Sequence, residues 1–124
     1  AFAKAEVSQP HLFEKVAEHI VTLEHLRSFE PHNLSNTLWA FTKAEVSHPN
    51  LFEKVADHIL ALEHLESFNP QELSNIVWAF AKAEVSNLQL FEEVAETIIT
   101  SDILDRFKPQ HFSNTLWAFA KAEV

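Results

Sequence analysis

The chain has 124 residues, no cysteine, no glycine and a formal charge of −9. Without cysteine there is no disulfide framework, thiolate metal site or thiol redox chemistry, and without glycine a loop-rich β fold is disfavoured, because its tight turns need it. The length suits one domain, no apolar run approaches the roughly 20 residues of a membrane span, and the acidity counts against capture of nucleic acid through Lys and Arg.

In chain order, residues 1–6 read as the end of one helix, A, and residues 8–27 as a second helix, B. A full A–B unit follows over residues 31–66, another over 70–106, and a last helix A covers 109–123. A fixed offset ties these together. Trp39, Trp78 and Trp117 stand 39 residues apart, and Phe2, Phe41, Phe80 and Phe119 keep the same spacing. So do Phe13, Phe52 and Phe91, and Pro31, Pro70 and Pro109. A constant period in this range, without insertions, predicts an all-α protein: an α-solenoid of tandem antiparallel helix pairs, each burying its apolar face on its neighbours.

Each helix A is expected to start at Pro31 or its equivalents, since proline suits the first helical turn. Leu34, Leu38, Phe41 and Ala44 then recur at three- and four-residue steps. Helix B is expected from residue 48 and its equivalents. Ser47 and Ser86 stand as caps, Ser86 with Gln89 as a capping box, and Val46–Leu51 and Val85–Leu90 as hydrophobic staples. The link between A and B would then be a residue or two. Phe52, Val55, Ala56, Ile59 and Leu62 form the apolar stripe of helix B. That helix either continues past Leu60 with a kink or breaks there, and Ser101 or Asp102 could cap a fresh turn in the last copy. Ala1 aligns with Ala40, inside helix A, and no polar capping repeat is present. The chain therefore reads as a slice of a longer solenoid, or as one whose ends stack on another chain.

Three sets of residues bear on function. The Trp39, Trp78 and Trp117 rings lie beside the apolar stripe and are expected in the core between repeats rather than in a base-stacking ladder. Ser35–Asn36, Ser74–Asn75 and Ser113–Asn114 are the same in every copy, although Ser and Asn are only moderate helix formers. They form either a hydrogen-bond ladder between neighbouring A helices or a row of amides offered to a ligand. Lys43, Lys82 and Lys121 lie seven residues beyond each Asn, so one Asn–Lys pair per repeat could hold a base edge and a phosphate. The slots that vary are His32, Gln71 and Gln110, then Asn33, Glu72 and His111. Repeats that read one base each use two or three such side chains; the alternative is free drift on an exposed first turn. The histidine pairs His58–His64 and His19–His25 are six apart and poorly placed for one metal, and the third copy has Thr97 and Ile103 instead. Glu53 and Lys54 read as solvated charges. No catalytic set, metal site, cofactor site or small-molecule substrate is expected.

The line FNPQELSNIVWAFAKAEVS, from Phe68 to Ser86, resembles the octotricopeptide-type repeats of large organellar RNA-binding proteins. Those proteins often end in a RAP domain, and their near relatives are the repeats of FAST-kinase-like proteins. The resemblance covers the whole chain. It implies an α-solenoid that binds single-stranded RNA in a chloroplast or mitochondrion and acts in RNA processing, stability or translation. It also implies that Asn36, Asn75 and Asn114 line the inner face. Such repeats commonly place glycine after helix A, where this chain has Glu45, Glu84 and Glu123. A non-glycine residue in the left-handed conformation costs about 1–2 kcal/mol, so a different turn is expected there. The competing reading is a protein-binding scaffold or structural subunit of a larger assembly. A basic inner face would favour RNA, and an acidic or apolar one would favour a protein partner.

Overall fold

A computed structural model describes residues 9–62 and 65–124 of the chain. The partial helix expected over 1–6 and the residue His64 lie outside them. Among the described residues there are six α-helices and no strand. They are α1 (Pro10–Thr22), α2 (Pro31–Lys43), α3 (Pro49–Ala61), α4 (Pro70–Ala83), α5 (Leu88–Thr100) and α6 (Pro109–Ala122), with a short 3₁₀ turn at Leu104–Arg106.

All five prolines stand at the first residue of a helix, where the missing N–H has no intrahelical partner to lose. The even helices share one N-terminal device. The side chain three residues in accepts a hydrogen bond from the N–H of the residue before the helix. Asn33 does this for Glu30 at 2.9 Å, Glu72 for Asn69 at 2.8 Å, and His111 for Lys108 at 3.1 Å. The variable slot Asn33, Glu72 and His111 is therefore occupied locally. Its residues differ, but each is an acceptor of the right reach.

The odd helices begin one residue later than the serine caps would place them. His48 and Asn87 are the caps, accepting from the N–H of Leu51 at 3.2 Å and of Leu90 at 3.0 Å. The links from α2 to α3 and from α4 to α5 are thus residues 44–48 and 84–87, longer than the one or two expected. The odd helices stop early as well. α1 ends at Thr22 rather than near residue 27, and a fresh turn follows each odd helix, in which the Phe29 N–H donates to Leu26 O at 2.9 Å, the Phe68 N–H to Leu65 O at 3.0 Å and the Phe107 N–H to Leu104 O at 3.1 Å; in the last copy it is the 3₁₀ turn Leu104–Arg106. Its cap position is Ile103, so neither Ser101 nor Asp102 caps it.

Helices α2, α4 and α6 end alike, and not as expected. Glu45, Glu84 and Glu123 all adopt the left-handed conformation, with φ of 58°, 59° and 59°. After α4, the Glu84 N–H donates to Ala81 O at 3.2 Å and the Val85 N–H to Phe80 O at 3.0 Å. This is the paired closure that satisfies the last carbonyls of a helix. Glutamate replaces glycine without changing the turn, and the paired bonds offset its conformational cost. Ala44, expected in the apolar stripe, is exposed at this end, and Val46 and Val85 tuck against the core.

The helices form two rows. α2 packs along α4 and α4 along α6, while α1 packs along α3 and α3 along α5. The even helices approach each other more closely than the odd ones do. Ser35, Ser74, Ala79 and Ala118 are buried in the even row, and small side chains at a contact shorten the interaxial distance. The odd row buries Leu51, Phe52, Val55, Leu90, Phe91 and Val94. Leu62, expected in that stripe, is only half-buried. Edge-to-face phenylalanine pairs join the rows: Phe13–Phe41 at 5.0 Å, Phe52–Phe80 at 5.1 Å and Phe91–Phe119 at 5.0 Å between ring centres. Such pairs contribute about 0.5–1.5 kcal/mol beyond their buried area. Lys54 is not a plain solvated charge; it is half-buried and its ammonium donates to the Leu23 carbonyl at the end of α1.

Among the described residues, one buried side-chain polar atom has no partner. The Thr115 hydroxyl, on α6, makes no hydrogen bond. Its equivalent on α4 is Ile76, fully buried. Leaving a buried hydroxyl unpaired costs about 1–3 kcal/mol. Thr115→Val, which keeps the shape, is expected to stabilise the fold by about 1 kcal/mol, seen as a higher urea midpoint with an unchanged slope.

Candidate functional site

At about 100° per residue, His32, Asn36, Trp39 and Lys43 fall within roughly 60° of arc on α2. Gln71, Asn75, Trp78 and Lys82 repeat this stripe on α4, and Gln110, Asn114, Trp117 and Lys121 repeat it on α6. On α2 and α4 the stripe lies on the side of the helix opposite the buried Leu34, Leu38 and Phe41 and their equivalents Leu73, Val77 and Phe80. His32, Asn36, Lys43, Gln71, Lys82, Gln110 and Lys121 are exposed, and Asn75 and Asn114 are half-buried. All nine polar residues singled out from the sequence thus lie on one surface.

The tryptophans belong to that surface too, and this corrects the expectation that they form the core between repeats. Trp39 is 41% exposed and Trp117 42%, while Trp78, in the middle, is half-buried. Positions 38 and 41 supply the core instead: Leu38 and Phe41 are buried, as are Val77 and Phe80. Two lysines sit over the rings. Lys43 Nζ is 5.6 Å from the centre of Trp39, and Lys82 Nζ is 6.0 Å from that of Trp117. The second contact crosses from α4 to α6, so the stripes of neighbouring helices merge. Lys121 reaches back to Glu84 at 3.7 Å in an exposed pair, the kind that contributes little in water.

The Ser–Asn pairs divide their roles. Ser35 and Ser74 are buried, and the Ser74 hydroxyl donates to its own helix, to Gln71 O at 3.1 Å. Ser113 does the same toward Pro109 O at 3.1 Å. Ser35 and Ser74 are small spacers in a close helix contact, not rungs between helices. Among the described residues no hydrogen bond holds the side-chain amide of Asn36, Asn75 or Asn114, so of the two arrangements left open by the sequence the interhelical ladder is not formed. Three amides, three indole faces and three ammonium groups share one face without internal partners that saturate them.

Charge is divided between the rows. The even helices carry Lys43, Lys82 and Lys121 against Glu72, a balance of 3 − 1 = +2. The odd helices carry Lys15 and Lys54 against Glu14, Glu18, Glu53, Asp57, Glu92, Glu93 and Glu96, a balance of 2 − 7 = −5. Glu45, Glu84 and Glu123 border the even face at the helix ends. Most of the acidity of the helices therefore lies on the row away from the stripes.

Of the histidines weighed for a metal, His58 lies on α3 beside His25. Burial, and secondly the repulsion of His25, push its pKa below the ordinary value of 6.5. The unfolded chain then binds a proton more readily than the folded one, so stability is fully present above about pH 6.5 and is lost as pH falls through the lowered folded value. Melting temperature is expected to fall as pH drops below about 6.5, and His58→Gln is expected to flatten that decline.

The fold and this face define an all-helical protein with a polar–aromatic surface on one row of helices. No helix among the described residues is long and apolar enough to cross a membrane. The chain belongs to the RNA-editing substrate-binding complex 6 protein family, whose model matches residues 1–124. No curated protein and no solved structure matches it.

Proposed function

We propose that the chain is a stretch of α-solenoid with a 39-residue unit, and that its even row binds single-stranded RNA as part of an RNA-editing substrate-binding assembly. The observation that carries this reading is the threefold stripe of amide, indole and ammonium on the even helices. Each component has a matching task. Indole faces stack on unpaired bases, worth about 1–3 kcal/mol per base. Asparagine and glutamine amides pair with base edges, and lysine neutralises phosphate. The closer spacing of the even helices curves a stack toward that row, which gives a strand a concave bed. The charge division removes the main objection to nucleic acid, because the even row is the less acidic one. His32, Gln71 and Gln110 are the positions we assign to base preference, since the slot changes from His in one copy to Gln in the other two and is free of the caps that hold Asn33, Glu72 and His111. Binding rather than catalysis is the role of this surface, and no cofactor enters it. The family name supports an RNA-editing setting, for which the mitochondrion is the compartment; it lends nothing to the chloroplast.

Fluorescence anisotropy with a labelled single-stranded oligonucleotide tests this. Three lysines displacing about three counterions predict a slope of log K against log salt near −2, from about −0.7 per phosphate neutralised. Lys43→Ala, Lys82→Ala and Lys121→Ala together are expected to bring that slope close to zero. A wild-type chain that binds no better at low salt than an uncharged control protein would sink the RNA reading. The acidic odd row favours a second role beside it, as a docking side for a basic protein partner within the assembly.

A further inference from the structure

α2, α4 and α6 each end on a side chain that the fold does not explain. Glu45, Glu84 and Glu123 hold the left-handed conformation, at φ of 58°, 59° and 59°, where a residue with a Cβ is strained and glycine is not. The turn is closed by backbone groups alone. After α2, the Glu45 N–H donates to Thr42 O at 3.1 Å and the Val46 N–H to Phe41 O at 3.1 Å, and glycine would make the same two bonds. An acidic side chain also stands at the unfavourable end of a helix, since the C-terminus carries the negative pole of the dipole. The carboxylates gain little from the protein in return. All three glutamates are exposed. Glu45 and Glu123 make no side-chain hydrogen bond or ion pair among the described residues, and Glu84 meets Lys121 in an exposed pair at 3.7 Å. Strain kept in every copy without a structural gain points to a task outside the fold.

The pair with Lys121 shows where that task lies. Lys121 belongs to the stripe of α6, so Glu84, from the end of α4, reaches the face that carries the amides, indoles and ammonium groups. Glu45, Glu84 and Glu123 stand two residues beyond Lys43, Lys82 and Lys121, so each copy sets one carboxylate beside its phosphate-binding group. A carboxylate repels phosphate, so its partner in RNA is a base or a ribose hydroxyl. An ionised carboxylate only accepts hydrogen bonds, through two neighbouring oxygens. Among the bases, guanine alone presents two adjacent donors on its Watson–Crick edge, N1–H and the N2 amino group. Adenine and cytosine set one amino group beside a ring nitrogen that accepts, and uracil sets N3–H between two carbonyls. In each of these the second carboxylate oxygen would face an acceptor.

We propose that Glu84, with Glu45 and Glu123 in the other copies, is a specificity-determining residue of the RNA face, its carboxylate taking the N1–H and N2–H of a guanine. The inference rests on the RNA reading above and adds a constant reader to the variable slot of His32, Gln71 and Gln110. The glutamate is the same in every copy and selects the same base in each, so the preferred strand carries guanine at the spacing of the repeats.

Fluorescence anisotropy tests it with a labelled uridine oligonucleotide and versions that carry guanine, adenine or cytosine at spaced positions. The proteins are the wild type, a variant combining Glu45→Gly, Glu84→Gly and Glu123→Gly, and Glu84→Gln. The wild type should hold the guanine probe at least about tenfold more tightly than the uridine probe, the scale of discrimination that one bidentate contact gives. The glycine variant should be at least as stable to urea, because glycine suits the turn. It should lose the guanine preference and bind the uridine probe more tightly, since negative charge has left the face. Glu84→Gln keeps the size and the turn but has one acceptor oxygen, so it should lose part of the preference. A wild type that binds all four probes alike overturns the inference and leaves the RNA reading standing. So does a glycine variant that gains affinity for every probe by the same factor, which would make the glutamates plain charge. One that loses affinity for every probe by the same factor overturns it as well, since the glutamates would then read the ribose hydroxyl. A wild type that binds no probe brings down the RNA reading and this inference with it.

Discussion

Trp39→Ala combined with Trp117→Ala is expected to weaken single-stranded RNA binding by about a hundredfold while the chain stays folded. The estimate takes roughly 1.4 kcal/mol, or tenfold, per lost stack, within the range of about 1–3 kcal/mol for base–aromatic stacking. These two rings are the clean choices, because each leaves over 40% of its surface in solvent. Trp78 is half-buried between its neighbours, so its removal would mix binding with stability. The salt slope decides the mechanism. Stacking is insensitive to ionic strength, so the tryptophan variant should lose affinity at every salt concentration and keep the wild-type slope. The lysine variant should do the reverse. If the tryptophan variant binds RNA as tightly as the wild type with the same far-ultraviolet spectrum, the stripes are not the binding surface. A base partner would also displace Lys43 and Lys82 from their places over the rings, so indole fluorescence should change on titration.

Much of the architecture was legible in the sequence. The offset of 39, the prolines at helix starts and the stripes at helical spacing pointed to paired helices, and the chain is all-helical. The element ends were less legible. Ser47 has the chemistry of a cap, but Pro49 fixes the first turn and hands the cap to His48. Glu45, Glu84 and Glu123 look wrong for a left-handed turn, since propensity alone assigns that place to glycine; two backbone hydrogen bonds and the tucked valine decide otherwise. The tryptophans were the largest miss. A bulky aromatic beside an apolar stripe is usually core, but here small Ser and Ala residues bring the even helices so close that the wide indole has no room between them. The signal was present: Trp39 lies three residues from Asn36 and four from Lys43, on the polar side of the helix. Of the candidate contacts, the nine residues read from the sequence share one face, but their roles depend on the interhelical packing that frees the asparagine amides, and spacing alone left that open.

Phe80→Ala is expected to be the most damaging of the phenylalanine substitutions, and the ranking matters as much as the size. Phe80 is fully buried at the middle of the even row and packs edge-to-face on Phe52 of α3. Its carbonyl also accepts the Val85 N–H that closes α4. Removing such a ring costs about 3–5 kcal/mol, against a total of about 5–15 kcal/mol for a typical domain. On the solenoid reading proposed above, stability is a sum of local units and junctions. α4 has junctions on both sides, with α2 and with α6, whereas α6 is joined in the even row to α4 alone. Phe119, the equivalent ring on α6, is only half-buried, so Phe119→Ala should cost about half as much or less. Phe80→Ala should do more than lower the urea midpoint. It weakens the link between the two halves, so the single transition should broaden and its apparent slope should drop, the sign that unfolding is no longer all-or-none. A Phe119→Ala variant as unstable as Phe80→Ala would contradict nearest-neighbour stacking and point to one core shared by all six helices.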